Sequence, residues 1–109
     1  MDVSARRLDV YLVTVDTGAG REVKRSRRCV VVSPDEMNRH IATVIVAPLT
    51  ARGRSYPTRV PLVFQGHPAQ VAVDQLRAVD KSRLVRRLGT LSTSTGDKVL
   101  GVLTEMFGA

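Results

Sequence analysis

Aromatic residues are nearly missing from this chain. Its 109 residues include two Tyr, two Phe and no Trp, so a core has to be filled by Val, Leu, Ile and Ala, with β-branched Val favouring strands. Cysteine occurs once, as Cys29, which excludes an internal disulfide and fits a reducing, cytoplasmic setting. Histidine occurs twice, as His40 and His67, and no pair of His and Cys sits at metal-ligand spacing, so neither a metal nor another cofactor is expected. There is no glycine-rich phosphate loop with its lysine, and no local motif of a Ser-His-Asp triad. No apolar run approaches ~18 residues and the first residues hold no apolar signal core, which argues against a membrane span and against secretion.

What the chain has in excess is positive charge. Seventeen Lys and Arg face ten Asp and Glu, a net charge of +7, and such a surface attracts polyanions. A hydrophobic content of 43% argues against disorder. The length fits one domain, residues 1–109, with a core that needs no staple.

The pattern along the chain is that of a mainly β protein. Residues 8–15, LDVYLVTV, read as a strand. Residues 16–27 read as a long polar loop holding the basic run, and 28–33 as the second strand, stopped at Ser33-Pro34. Ser33 as N-cap, Pro34 at the first helical position and Glu36 allow a short helical turn over DEMN. Residues 42–49, ATVIVAPL, are almost continuously apolar, as in a central strand buried on both faces, with Pro48 marking a bulge or its end. A polar loop covers 51–57. Residues 58–64 form another strand, in which Pro61 points to a sheet edge or a bulge. Gly66-His67-Pro68 reads as a turn, 70–75 as a strand, 80–87 as a helical turn capped by Asp80, and 88–91 as a last short strand. In the tail, Val99, Val102, Leu103, Met106 and Phe107 fall on one helical face, with Ser92 or Ser94 as cap and Ser94 with Asp97 as a capping box. Gly96 and Gly101 weaken that helix by up to ~1 kcal/mol each. Five or six short strands and a C-terminal helix amount to a small, strongly bent sheet or barrel.

The densest chemistry lies between Gly20 and Pro34. Arg21, Lys24, Arg25, Arg27 and Arg28 surround Glu22. In an extended segment Lys24 and Arg28 share a face with Glu22, while Arg21, Arg25 and Arg27 share the other. Arg27 or Arg28, next to the strand, is held most rigidly, and a fixed guanidinium binds phosphate in two-pronged fashion. Thr50 ends the most buried strand, and Asp74-Gln75 ends another apolar one. Arg52 and Arg54 add charge to the loop after Thr50. A ribonuclease built on the two histidines is disfavoured, because they read as separate surface residues.

These residues resemble the MazF/PemK family of toxin endoribonucleases from type II toxin–antitoxin systems. The resemblance runs through DVYLV at 9–13, the G-x-E of 20–22, the basic step into CVVVSP at 29–34, DEMNRH at 35–40, TVIVAPLT at 43–50, YPTRVP at 56–61, VDQ at 73–75, VDKSRLVRRLG at 79–89 and the VLTEMF helix. It implies an SH3-like β-barrel with a C-terminal helix and a homodimer. It also implies metal-independent cleavage of single-stranded RNA to a 2′,3′-cyclic phosphate and a 5′-hydroxyl, and control by an acidic antitoxin. Carried onto this sequence, the family's catalytic positions fall on Arg27, Thr50, Glu22 and, for Kid-like members, Asp74. Arg21, Lys24, Arg25, Arg28, Arg52, Arg54 and Gln75 remain as candidate RNA-binding residues. Glu22 and Asp74 are both available as the base.

This chain departs from the family pattern at a few positions. Arg28 stands where most members have Pro after the catalytic arginine, Leu8 where strand 1 usually begins with Gly, Thr17 where Asp-Pro is usual, and Ala72 where Kid-like members carry Arg. Two other functions compete: a non-catalytic SH3-like module that binds nucleic acid or an acidic peptide, and a CcdB-like gyrase inhibitor. The second is disfavoured because the helix ends Met106-Phe107-Gly108-Ala109 rather than in a Trp-Gly-Ile-like tip.

Overall fold

A computed structural model of the chain describes residues 5–16 and 24–109, the side chains of Asp16 and Lys24 excepted. Its architecture is mainly β. Seven strands run in the order β1 (Asp9–Asp16), β2 (Lys24–Val31), β3 (Thr43–Ala51), β4 (Arg59–Phe64), β5 (His67–Ala72), β6 (Arg77–Asp80) and β7 (Leu84–Thr90). A short helix α1 (Asp35–His40) separates β2 from β3, and α2 (Thr93–Phe107) closes the chain. All pairings are antiparallel, along the path β4-β5-β3-β2-β1-β7, with β6 on β3.

The expected central strand is central. β3 pairs with β6 through Thr43–Val46, with β2 through Val46–Pro48, and with β5 through Leu49–Ala51. Its two faces serve two cores. Val44 and Val46 join Tyr11, Val13, Cys29, Val31, Val79 and Leu84 in one cluster. Ala47 and Leu49 join Val10, Val30, Leu62, Phe64, Val71 and Val99 in the other. β7 returns to β1 and is reached from β6 through a 3-10 turn, Lys81–Arg83. The strands β1, β2, β3, β6 and β7 thus curl around the first cluster. No ladder joins β6 to β7, so the barrel is left open there. The β4–β5 hairpin and α2 cover the second cluster.

Several local expectations are corrected. β2 begins at Lys24, not at residue 28, because each residue from Lys24 to Val30 has a partner on β1; the ladder overrides the polar composition. β6 was not expected as a separate element, and residues 84–87 are strand rather than helical turn. Ser33 caps nothing: Pro34 occupies the cap position of α1 without a side-chain bond. The buried Ser33 hydroxyl instead donates to Asn38 Oδ1 at 2.5 Å and accepts from the Ile45 amide at 3.0 Å, and Lys81 Nζ donates to the Asn38 carbonyl. The β4–β5 turn is Gln65-Gly66, both at positive φ (51° and 80°), the geometry of a two-residue type I′ hairpin. His67 and Pro68 already belong to β5. Pro61 does lie on an edge strand, and Asp80 does cap its turn, accepting from the Ser82 amide at 2.9 Å. In α2 the cap is Ser92, whose hydroxyl accepts from the Thr95 amide at 3.2 Å, so the Ser94–Asp97 box is not used. Val99 is fully buried, but Phe107, expected on the same face, is 72% exposed.

The two helix glycines differ. Leu8 has φ 74°, a backbone that favours glycine and costs a β-carbon residue roughly 1–2 kcal/mol. Its amide donates to the Val31 carbonyl (2.7 Å) and its carbonyl accepts from the Leu91 amide (2.9 Å), which pins it there. Its side chain fills the space above Gly96, where a β-carbon would collide with Leu8 Cδ1; at Gly101 the space is open. Gly96→Ala should therefore lower stability by about 1 kcal/mol through overpacking. In a Leu8→Gly background the same change should raise it by about 1 kcal/mol, the ordinary helix gain. Urea melts of the four variants check this, and equal effects in both backgrounds would show the two sites to be uncoupled.

Candidate active site at the barrel rim

Strand alternation decides which of the adjacent arginines faces the strand end at Thr50. On β2, Cys29 and Val31 point into the first core cluster, so Arg27 and Arg25, paired with Val13 and Val15, lie on that same face. Arg28, paired with Leu12, lies on the opposite face and is half-buried. On β3 the partner of Cys29 is Pro48. The pairing ends there; Arg27 and Thr50 each lie two residues beyond it, on the face that Cys29 and Pro48 share. Arg27 is exposed and Thr50 half-exposed. The Thr50 hydroxyl makes only a long contact, 3.5 Å, to the Gln70 carbonyl, and is left able to bond a ligand.

Next on that face of β2 is Cys29, 1% exposed. Burial pushes its thiol up to about 11, and Arg27 and Arg77 pull against that shift. Arg77 went unnoticed in the sequence because β6 did. It pairs with Val46, shares the face of Val79 and is exposed at the start of β6. A period-two reading of Arg77, Val79 would have found it.

Asp74 sits in a 3-10 turn, Val73–Gln75, after β5. It is already engaged. Arg59 donates to it through Nε (2.7 Å) and another guanidinium nitrogen (3.1 Å), and Thr58 through its hydroxyl (3.0 Å). The Arg59 guanidinium also lies 5.5 Å from the Tyr56 ring centre. The bond from Arg59, more than that from Thr58, lowers the Asp74 carboxyl to about 2. A carboxylate this acidic is a weak proton acceptor at neutral pH.

Arg52 is also committed. Nε donates to the Ala69 carbonyl (3.2 Å) and Nη2 to the Leu62 carbonyl (2.7 Å), which ties the loop to the β4–β5 hairpin. Arg54 and Gln75 are exposed. Glu22 and Arg21 lie outside the described residues, as does the Lys24 side chain. No cluster of three His, Cys, Asp or Glu that could hold a metal occurs among the described residues, and none of their helices is long and apolar enough to cross a membrane.

A buried polar group that the sequence reading missed is Asp9, 4% exposed. It accepts from the Thr90 hydroxyl (2.9 Å), from Arg87 Nε (3.2 Å) and from the Arg6 amide (3.2 Å), and so joins the start of β1 to the end of β7.

The depressed Asp74 pKa has a sign. Its ionised form stabilises the fold above the ordinary value of 3.8, and that contribution is lost as pH falls through about 2. Carbon-13 NMR of the carboxyl should place its midpoint near 2, and Arg59→Ala should move the midpoint up towards 3.8.

Comparison with known proteins identifies the family and the fold. A family model for the PemK-like, MazF-like toxin of type II toxin–antitoxin systems matches residues 6–107. A MazE–MazF structure from Deinococcus radiodurans superposes with a TM-score of 0.84 at 26% identity, covering 98% of this chain and 98% of that one. An endoribonuclease in complex with its cognate antitoxin, from a mycobacterial species, gives 0.78 at 28% identity, with 94% of each chain covered. A further mycobacterial endoribonuclease, 24% identical, shares the fold with a TM-score of 0.80 over 97% of this chain and 93% of that one.

Proposed function

The chain belongs to the PemK-like, MazF-like toxin family of type II toxin–antitoxin systems, and from that membership we propose that it is a cytoplasmic, metal-independent endoribonuclease that cuts single-stranded RNA. The observation that supports this reading is the Cys29–Pro48 pair, from which strand alternation puts Arg27 and Thr50 on a common face. In the proposed reaction the ribose 2′-oxygen attacks its own phosphorus as its proton passes to a base. The 5′-oxygen leaves and takes a proton from solvent, and the products are a 2′,3′-cyclic phosphate and a 5′-hydroxyl. Arg27 offsets the charge that gathers on the phosphoryl oxygens, and Thr50 orients one of them by a hydrogen bond. The RNA supplies its own nucleophile, so no covalent enzyme intermediate is needed. Of the two carboxylates, Asp74 is tied to Arg59 and too acidic to be a good base, which favours Glu22.

The test uses labelled single-stranded RNA in EDTA. Wild-type protein should cleave it. Arg27→Ala and Thr50→Ala should each lose about 10²–10³ in kcat, the usual cost of one transition-state donor, while Arg28→Ala, on the other face, should keep a near-normal rate. Retention of RNA without cleavage would instead support the binding module. A dead Arg28→Ala beside an active Arg27→Ala would reverse the assignment.

The partners we propose are a second copy of the chain and an acidic antitoxin. Arg25, Arg27 and Arg54 are exposed and attract carboxylates as they do phosphates. An acidic segment that covers this rim excludes RNA, orders as it binds, and binds less tightly as salt rises. Light scattering should give about twice the 11.9 kDa chain mass. Antitoxin and a non-cleavable RNA should displace one another, and simultaneous binding would rule out control by covering the rim.

A further inference from the structure

Arg77 sits where the fold would otherwise place an apolar residue. Its β6 neighbour Val79 and its β3 partner Val46 both point into the first core cluster, and strand alternation aims Arg77 the same way. It escapes burial only because β6 ends there: Arg77 is the strand's first residue and is exposed. No carboxylate among the described residues pairs with it, in contrast to Arg59, Arg87 and Arg39. An unpaired guanidinium at the mouth of a core is a cation held for an anion from outside.

Its position relative to Arg27 indicates which anion. The two residues flank β3 from opposite sides, Arg27 on β2 and Arg77 on β6, about 10 Å apart across the sheet at the usual strand spacing. Along β3, Arg77 is level with Val46, whereas Arg27 lies two residues past the last β2–β3 pair, Cys29 with Pro48. Cys29, the β2 partner of Pro48, is buried on that same face, and both arginines lower its thiol against the effect of burial. The two side chains thus share the face of the first core cluster, on backbones too far apart to stack on one group.

We propose that Arg77 is a second phosphate-binding residue of this rim, which grips a phosphodiester next to the one that Arg27 and Thr50 act on, and so sets the path of the RNA across β3. This deepens the endoribonuclease reading and rests on it. Arg77 positions the substrate through a group that does not react, so its contribution is equal in ground state and transition state and appears in KM rather than kcat.

The experiment measures binding and cleavage separately. Binding is followed by fluorescence anisotropy with a mixed-sequence 2′-O-methyl RNA, which cannot be cut, at several salt concentrations. Cleavage is followed with a matching ribose oligonucleotide. Arg77→Ala should weaken binding about tenfold and lower the slope of log K against log salt by about 0.7, the loss of one phosphate contact on a single strand. Its kcat should stay within about twofold of wild type, with the loss in KM. Arg77→Lys should retain the salt slope, because the charge remains. An unchanged slope in Arg77→Ala overturns the proposal, as does a kcat drop of about 10² with KM unchanged, which would put Arg77 on the scissile phosphate. If wild type binds but does not cut, and Arg77→Ala still loses the slope, the phosphate contact stands and the enzyme reading falls. If wild type does not bind at all, both fall.

Discussion

Everything in this molecule hangs on β3, which pairs with three other strands and lines both cores. Its Val44 and Val46 face one cluster and its Ala47 and Leu49 the other, so no position between them can take a polar side chain on either face. It changes neighbours on the way, from β6 to β5 along one edge, and gives up β2 on the other. Pro48, with no amide hydrogen to donate, falls where the pairing with β2 stops. Beyond it the strand leaves the packed interior, and the first polar group it carries out is Thr50. The site lies at the rim because that is where the shared strand ceases to be buried.

Composition overstates how much of the charge is available to a ligand. Of the seventeen basic residues, Arg59 is held by Asp74, Arg87 by Asp9, Arg52 by two carbonyls, and Arg7 by the Val32 carbonyl at 2.9 Å. These guanidiniums are internal fasteners that stitch loops and strand ends together. Those at the rim differ in having no such partner among the described residues. A net charge of +7 therefore says that an anion is welcome, and the hydrogen-bond inventory says where.

Much of this was legible in the sequence where one physical signal dominated. An apolar run with no polar interruption announced β3, Pro61 an edge strand, Asp80 a capped turn, and helical spacing the packing of Val99, Val102 and Met106. The illegible parts are those where partners far along the chain decide. Lys24 to Arg27 look like loop, and become strand because β1 supplies a ladder. Ser33 looks like a cap, and is taken by Asn38 and Ile45. Asp74 looks like a free acid at a strand end, and is claimed by Arg59, fifteen residues earlier. Of the candidate site residues, the sequence could name Arg27 and Thr50. Only the register of β2 on β3 shows that they share a face and that Arg28 does not.

The single thiol has a practical side. Cys29 is sealed at 1% exposure and its proton is held up to about 11, so at neutral pH almost none of it is the thiolate that alkylating reagents need. The protein thus behaves towards maleimides as though it had no cysteine. One introduced on the exposed loop near Arg54 would take a dye alone, with no native residue to remove, and would report from a living active surface rather than a mutated one.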